Sequence, residues 1–350
     1  MNTTSSLRDS VLNFCAQIAV DPLLVQGAGG NVSWKDGATL WVKASGTWLA
    51  DAQNEEIFVP VDRQAIDEAL ARGDYSVNPR ALEDYQLRPS IETLLHVLMP
   101  YKFVVHLHLV DAVVYLARNN CQVALQTKLG DAISWDLVKY YKPGADLAQA
   151  IHSTLSAQPG IQVLLLRNHG VVLGAQTIEK IERDLQTLCR YLCNEPRPLE
   201  GDEHGASKRD TVALDGTDFR FCLDASFHFL ATDPELYEHL AVSWAICPDH
   251  VVFLGAQAIR IDDLTALHRT LAAAADPAPP FVFVKGIGVL ENRAVTPAQK
   301  AQLTFYLDVM RRQPLGQRLE SLNYEQIANL LNWDAEKYRL HLKRSVAGDA

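Results

Sequence analysis

The chain has 350 residues, 48% of them hydrophobic and 21% charged, so it can bury a sizeable core, and its length favours about two domains. A formal charge of −10 argues against a nucleic-acid footprint or a polybasic membrane contact, and leaves small-molecule chemistry as the leading class. No apolar run reaches the roughly 18 residues of a membrane helix, and the first twenty residues lack the basic and then apolar pattern of a signal peptide, so the expected location is cytoplasmic. Six cysteines are scattered without a C-x-x-C pair, which predicts buried free thiols and neither a disulfide framework nor a thiolate metal site.

From the N-terminus, a helix is expected to open at Ser5 or Ser6. The run VQGAGGNVSWKDGATLWVKASGTWL (25–49) follows, and its Asp36-Gly37 pair between two strand-like segments predicts a hairpin. The glycine-rich loop therefore feeds a hairpin. Val32 occupies the offset at which a dinucleotide fingerprint needs its third glycine, so NAD binding is not expected there. Two uses of the loop remain: a tight structural turn, or a backbone approach in which the amides of Gly27, Gly29 and Gly30 face an anion.

In RPSIETLLHVLMPY (88–101) Pro89 and Ser90 mark a helix start, with Glu92 in the first turn, where a carboxylate complements the helix dipole. A strand and a helix-like stretch are read from YKFVVHLHLVDAVVYLAR (101–118). Residues 160–192 read as strand, turn, strand and an amphipathic helix with a buried stripe of Ile178, Ile181, Leu185, Leu188 and Leu192. The alternation of a strand turns His106 and His108 to one face and Leu107 and Leu109 to the other. Such a pair is either a set of hydrogen-bonded core histidines or two ligands of one ion, since buried imidazoles without partners cost free energy. A third ligand would complete a catalytic zinc site with one open position, and His169 in RNHGVVLG is the candidate, because the following glycine allows a sharp turn.

The polar run 194–215, with its Pro and Gly residues and no sustained periodicity, reads as a linker, which places domains at 1–200 and 213–350. The second contains HVVFLG, a helix from Asp263, the Pro-rich DPAPP (276–280), a strand–turn–strand in FVFVKGIGVLENR, and a helix from Thr296 with a capping box of Thr296 and Gln299 and Pro297 at its first position. It reads as a small α/β layer, and its last twenty residues as an exposed helix that frays into a tail.

The segments GAGGNVS (27–33), ASG (44–46), PSIE (89–92), VVHLH (104–108) and RNHGVVLG (167–174), in that order, resemble the class II aldolase and adducin-head family over about residues 8–195. The resemblance implies a three-layer αβα domain with a central, mainly antiparallel sheet. It implies one Zn²⁺ per chain, or another divalent transition metal, on His106, His108 and His169, with Glu92 as acid–base. It further implies substrate contacts from Gly27, Gly30, Asn31, Ser45, Gly46 and Ser90, a carbohydrate-like substrate, and a homo-oligomer such as a tetramer. The implied activity is retro-aldol cleavage of a ketose, sugar phosphate or related hydroxy-carbonyl compound. Epimerisation, dehydration and decarboxylation are alternatives within the family, and a non-catalytic interaction module like the adducin head lies outside catalysis. Ala28, Gly29 and Ile91 stand where sugar-phosphate aldolases of the family carry hydroxyl residues. This predicts a substrate with a carboxylate, with no anion, or with a phosphate held partly by the second domain, where Lys285 is the candidate. No motif places the family's catalytic tyrosine, which a neighbouring subunit supplies.

Overall fold

The computed structural model describes residues 3–82, 85–199, 203–272 and 278–333. The chain divides into two compact units, Met1–Cys193 with Asn332–Ala350, and Asn194–Leu331.

The first unit runs α1 (Thr3–Ala19), β1 (Asn31–Asp36), β2 (Thr39–Lys43), β3 (Phe58–Asp62), α2 (Arg63–Ala71), α3 (Thr93–Leu98), β4 (Phe103–Leu107), α4 (Val110–Leu116), α5 (Cys121–Leu129), β5 (Trp135–Val138), α6 (Ala145–Ala157), β6 (Val163–Leu166), β7 (Gly170–Ala175) and α7 (Ile178–Leu192). Its seven strands lie in the order β3-β2-β1-β4-β7-β6-β5, antiparallel except for the β5–β6 pair. Period-two alternation sorts the side chains into two layers. Val32 and Trp34 of β1 and Val105 and Leu107 of β4 pack with Phe14 and Ile18 of α1 and with Ile181, Leu185 and Leu188 of α7. On the opposite face Val104 and Val172 meet Leu95 of α3 and Ile151 of α6, while Leu40 and Val42 meet Ile66 and Leu70 of α2. The result is a three-layer αβα domain. All five expected stripe residues of α7 are buried, and at roughly 1.5–3 kcal/mol for each buried aliphatic side chain, packing outweighs intrinsic propensity in holding this helix.

Several local expectations shift. Helix α1 opens at Thr3, ahead of Ser5. The hairpin forms, but Asp36 pairs with Thr39, so Gly37 (φ +57°) and Ala38 are its central residues, as a Gly-first two-residue turn requires. All six cysteines are free, yet only four are buried: Cys189 is half-buried and Cys193, just past the end of α7, is exposed.

The second unit contains α8 (Glu203–Arg209), β8 (Phe219–Phe221), α9 (Phe229–Thr232), α10 (Pro234–Val242), α11 (Pro248–Leu254), β9 (Ile259–Ile261), α12 (Leu267–Ala272), β10 (Phe281–Val284), β11 (Gly288–Asn292), α13 (Pro297–Arg311) and α14 (Tyr324–Leu331). Its sheet order is β8-β11-β10-β9, with β9 and β10 parallel. Helix α13 carries the expected reciprocal capping box of Thr296 and Gln299. The run 194–215 is not linker throughout, since it includes α8. HVVFL falls within helix α11, which Gly255 caps, and the helix expected from Asp263 is a 3₁₀ turn (Leu264–Ala266) followed by α12. The N-terminal part of DPAPP, and the tail beyond Trp333, lie outside the described residues.

Candidate metal centre

His106 is the penultimate residue of β4 and is fully buried. Its Nδ1 lies 3.0 Å from the backbone oxygen of Val171 in β7. A carbonyl only accepts, so Nδ1 carries a proton, and in the neutral tautomer this leaves Nε2 as the lone pair. That Nε2 has no hydrogen-bond partner. His108 sits just beyond the strand end with its ring on the same side, the centroids 5.0 Å apart. His169 comes from the three-residue turn between β6 and β7, where the preceding Asn168 adopts a left-handed φ of +52°, a conformation asparagine tolerates. Its ring centroid is 4.8 Å from that of His106 and 5.4 Å from that of His108. The three imidazoles, all buried, offer ligand nitrogens within 4.8 Å of one another.

Glu92 is the cap residue of α3, outside the first turn, and its side chain makes no capping bond. Its backbone N–H donates to Ser90 Oγ at 3.2 Å. The carboxylate faces the histidines: Oε1 lies 3.4 Å from His169 Nε2 and Oε2 lies 3.6 Å from His106 Nε2. Asn31 Nδ2 donates to Oε2 at 2.8 Å. That contact follows from sheet register, because Asn31 of β1 pairs with His106 of β4 and directly opposed residues share a face.

The donor set fits a divalent ion. A buried imidazole nitrogen and a buried carboxylate oxygen, His106 Nε2 and Glu92 Oε1, both lack hydrogen-bond partners, an arrangement that costs free energy unless a bound group meets it. The hydrogen bond to Val171 O leaves Nε2 as the nitrogen of His106 that would face an ion, the usual arrangement for a histidine ligand.

The residues expected to contact substrate divide into groups. Gly27, Gly30 and Gly46 take positive φ of +57°, +72° and +82°. Asn31 is engaged with Glu92. Ser45 and Ser90, both buried, line a cleft of about 890 Å³. The glycine loop differs from expectation in one respect: the amide of Gly29 is used inside a turn, donating to Gln26 O at 2.9 Å, and so does not face an anion. A Cβ at Gly29 would lie 2.9 Å from that oxygen and 3.0 Å from His108 Nδ1, so the departure from a hydroxyl residue here has a steric cause.

Three supporting residues escape a reading by motif. Lys43, 1% exposed, donates to Ala28 O at 3.3 Å and Thr47 O at 2.6 Å, tying the glycine loop to the Ser-Gly turn. Its signal is a lysine closing an otherwise apolar strand. His96, one turn along α3 from Glu92, is fully buried and pairs through Nδ1 with Ser33 Oγ at 2.7 Å. Burial, then the neighbouring His106 and Lys35, hold His96 well below the ordinary histidine range, so it stays neutral behind the cluster. Lys35 is itself pushed down to about 8, first by burial, and donates to Val97 O at 3.0 Å and to Met99 O.

Fold and site together define a three-layer αβα domain that carries a three-histidine group able to hold a metal ion beside a buried carboxylate. A family model described as Class II Aldolase and Adducin N-terminal domain matches residues 10–192, more than half of the chain, and the chain belongs to this family. Over 182 residues, 46% of its length, it is 32% identical to "Uncharacterized oxidoreductase YuxG" of Bacillus subtilis (strain 168), of which it spans only 25%. Similar solved structures include the N-terminal class II aldolase domain of a conserved protein from Thermoplasma acidophilum, with 24% identity over 53% of this chain and 91% of that one and a TM-score of 0.44. YgbL from Klebsiella pneumoniae is similar at 20% identity over 55% of this chain and 89% of its own, with a TM-score of 0.43. Among the described residues no helix is long and apolar enough to cross a membrane.

Proposed function

We propose that this chain is a zinc-dependent aldehyde-lyase that cleaves a carbohydrate-like hydroxy-carbonyl compound by a retro-aldol step. His106, His108 and His169 are the metal ligands and Glu92 moves the proton. The observation that carries this reading is the position of Glu92, with one oxygen held by Asn31 and the other, without a hydrogen-bond partner, 3.4 Å from His169 in a buried three-imidazole site. His106, His108 and His169 would hold the zinc, which when bound would supply positive charge against the negative charge that develops beside a carbonyl.

The chain's own groups supply the rest. Asn31 fixes Oε2, leaving Oε1 to accept the proton of the substrate's β-hydroxyl as the adjacent carbon–carbon bond breaks and to return it to the carbon left behind. Ser45, Ser90 and the turns at Gly27, Gly30 and Gly46 shape the substrate's approach. His96 and Ser33 brace the layer beneath. The active form is a homo-oligomer.

The test joins elemental analysis to turnover. The wild type should hold one zinc per chain, and His106→Ala and His108→Ala should lose it. Glu92→Gln should keep the metal and lose about 10²- to 10⁴-fold in turnover with an unchanged melting temperature. Undiminished turnover in Glu92→Gln, or stoichiometric zinc in both histidine variants, would overturn the assignment.

A further inference from the structure

We propose that helices α11 and α13 enclose an internal polar site that takes ordered water, bridging His250, Tyr306 and Gln302. The site belongs to the second unit, whereas the three histidines belong to the first, and it does not depend on the lyase reading. Helix geometry puts the three side chains together. His250 of α11 has its ring centroid 5.5 Å from that of Tyr306 of α13. Gln302 precedes Tyr306 by four residues, so the two share a face of α13, and both are buried there.

Unmet hydrogen-bonding capacity is the second argument. His250 and Tyr306 are 0% exposed and Gln302 is 2% exposed. Both ring nitrogens of His250, the Tyr306 hydroxyl and Gln302 Oε1 have no hydrogen-bond partner in the protein. Four such atoms on two packed helices cost free energy, because each has given up its bonds to bulk water. The neighbouring rings offer no substitute. Phe305 lies 4.9 Å from His250, and Trp244, 5.0 Å from Tyr306, donates its Nε1–H to Gly255 O at 2.9 Å.

The chemistry of the set selects water. Burial pushes His250 down to about 3 despite the nearby Asp249, so the ring is neutral, with one nitrogen a donor and the other an acceptor. Burial also holds the Tyr306 phenol above its ordinary range, so its hydroxyl keeps the proton. Gln302 Oε1 only accepts. An anion would leave the acceptors unmet and a cation would leave the donors unmet, whereas water donates and accepts. The two imidazole nitrogens point in diverging directions, so one molecule cannot serve both and the site needs at least two. A metal ion is not implied: among the described residues, the group of three His, Cys, Asp or Glu side chains with converging ligand atoms is that of His106, His108 and His169.

A crystal structure and urea unfolding of the full-length protein test this. Electron density of the wild type should show ordered water within about 3.2 Å of Tyr306 Oη and of a His250 nitrogen. Tyr306→Phe and Gln302→Leu should each lower the folded-to-unfolded ratio about threefold to tenfold, as loss of a made hydrogen bond does. The double variant should lose less than the product of the two, because both side chains hold the same waters. Groups that lack any partner behave oppositely, and their apolar replacements leave the urea midpoint unchanged or raise it. Either of those results, two losses that multiply without coupling, or wild-type density with no water at both residues would overturn the proposal. So would a second metal ion in the wild type that His250→Phe removes. The density is read on the wild type, so it decides the matter even where a variant fails to fold.

Discussion

Gly170 joins the histidine cluster to the sheet, and its replacement by alanine tests both together. It opens β7 directly after His169, where an added Cβ would lie 2.3 Å from Leu107 O, 3.2 Å from Leu107 C and 3.3 Å from His106 Cε1. Two of these atoms are backbone and the third belongs to a buried ring, so β4 and β7 must part. Overpacking of this kind costs about 1–3 kcal/mol. Loosening the ladder at the Leu107–Val171 pair and the His106–Val171 bond adds roughly 0.5–1.5 kcal/mol for each hydrogen bond lost. A total of about 2–6 kcal/mol, at roughly 2–4 °C per kcal/mol for a unit of this size, lowers Tm by about 4–24 °C.

Parting the strands also moves His106 away from His169, and zinc affinity should fall about 10- to 100-fold, the range found when groups that orient metal ligands are disturbed. The assays are a thermal melt with and without zinc and a competition titration against a chromophoric chelator. Gly160→Ala is the control: its φ of +92° makes alanine cost about 1–2 kcal/mol, but nothing lies within 4 Å of the new Cβ and the three histidines are untouched. The reasoning is refuted if Gly170→Ala melts and binds zinc like the wild type, or if Gly160→Ala loses as much zinc affinity as Gly170→Ala.

Gly29→Ser, which would restore a hydroxyl to the loop, should weaken zinc binding through its collision with His108 and gain no phosphate affinity, as competition titration and calorimetry would show. Lys43→Met leaves Ala28 O and Thr47 O without their buried donor and should destabilise the first unit by about 1–3 kcal/mol per carbonyl, read by urea unfolding. In the second unit, burial pushes His250 down to about 3 against an unfolded value of 6.5, so its contribution to stability is present above pH 6.5 and is lost as pH falls below it, with a slope of up to about 1.4 kcal/mol per pH unit. His250→Phe, packed against Phe305 and Tyr306, should flatten the fall in urea midpoint between pH 6.5 and pH 4; an unchanged pH profile would remove His250 as its source.

The H-x-H pair was legible because a strand has a period of two, and the His-Gly pair because a sharp turn leaves a mark in composition. Both signals are local. Glu92 was legible as a residue but not as a geometry, since the difference between a first-turn carboxylate and a cap residue aimed at the histidines is one position in a helix of six residues. Short elements leave equally weak marks: α8 has seven residues and α11 has seven apolar or mixed ones that suit a strand as well as a helix. The exposed thiol of Cys193 escaped for the same reason, because a residue type's average burial says nothing about a helix end.

What local pattern cannot hold is register across the sheet. Nothing in GAGGNVS states that Asn31 will oppose His106, yet that single register brings Asn31 to Glu92 and, two residues on, turns Ser33 to the buried His96. Shifting β1 by one residue would send both polar side chains into the layer of α1 and α7 and bring Val32 and Trp34 to the side of the histidines. The register is therefore selected twice: the apolar layer needs Val32 and Trp34, and the buried carboxylate and imidazole need Asn31 and Ser33 as partners. Because the same pairing satisfies core and site, a substitution that weakens the site from within β1 should also weaken the fold. Site and stability separate at residues outside that strand, such as Glu92 at the cap of α3, where Glu92→Gln changes the site and leaves the register of β1 alone.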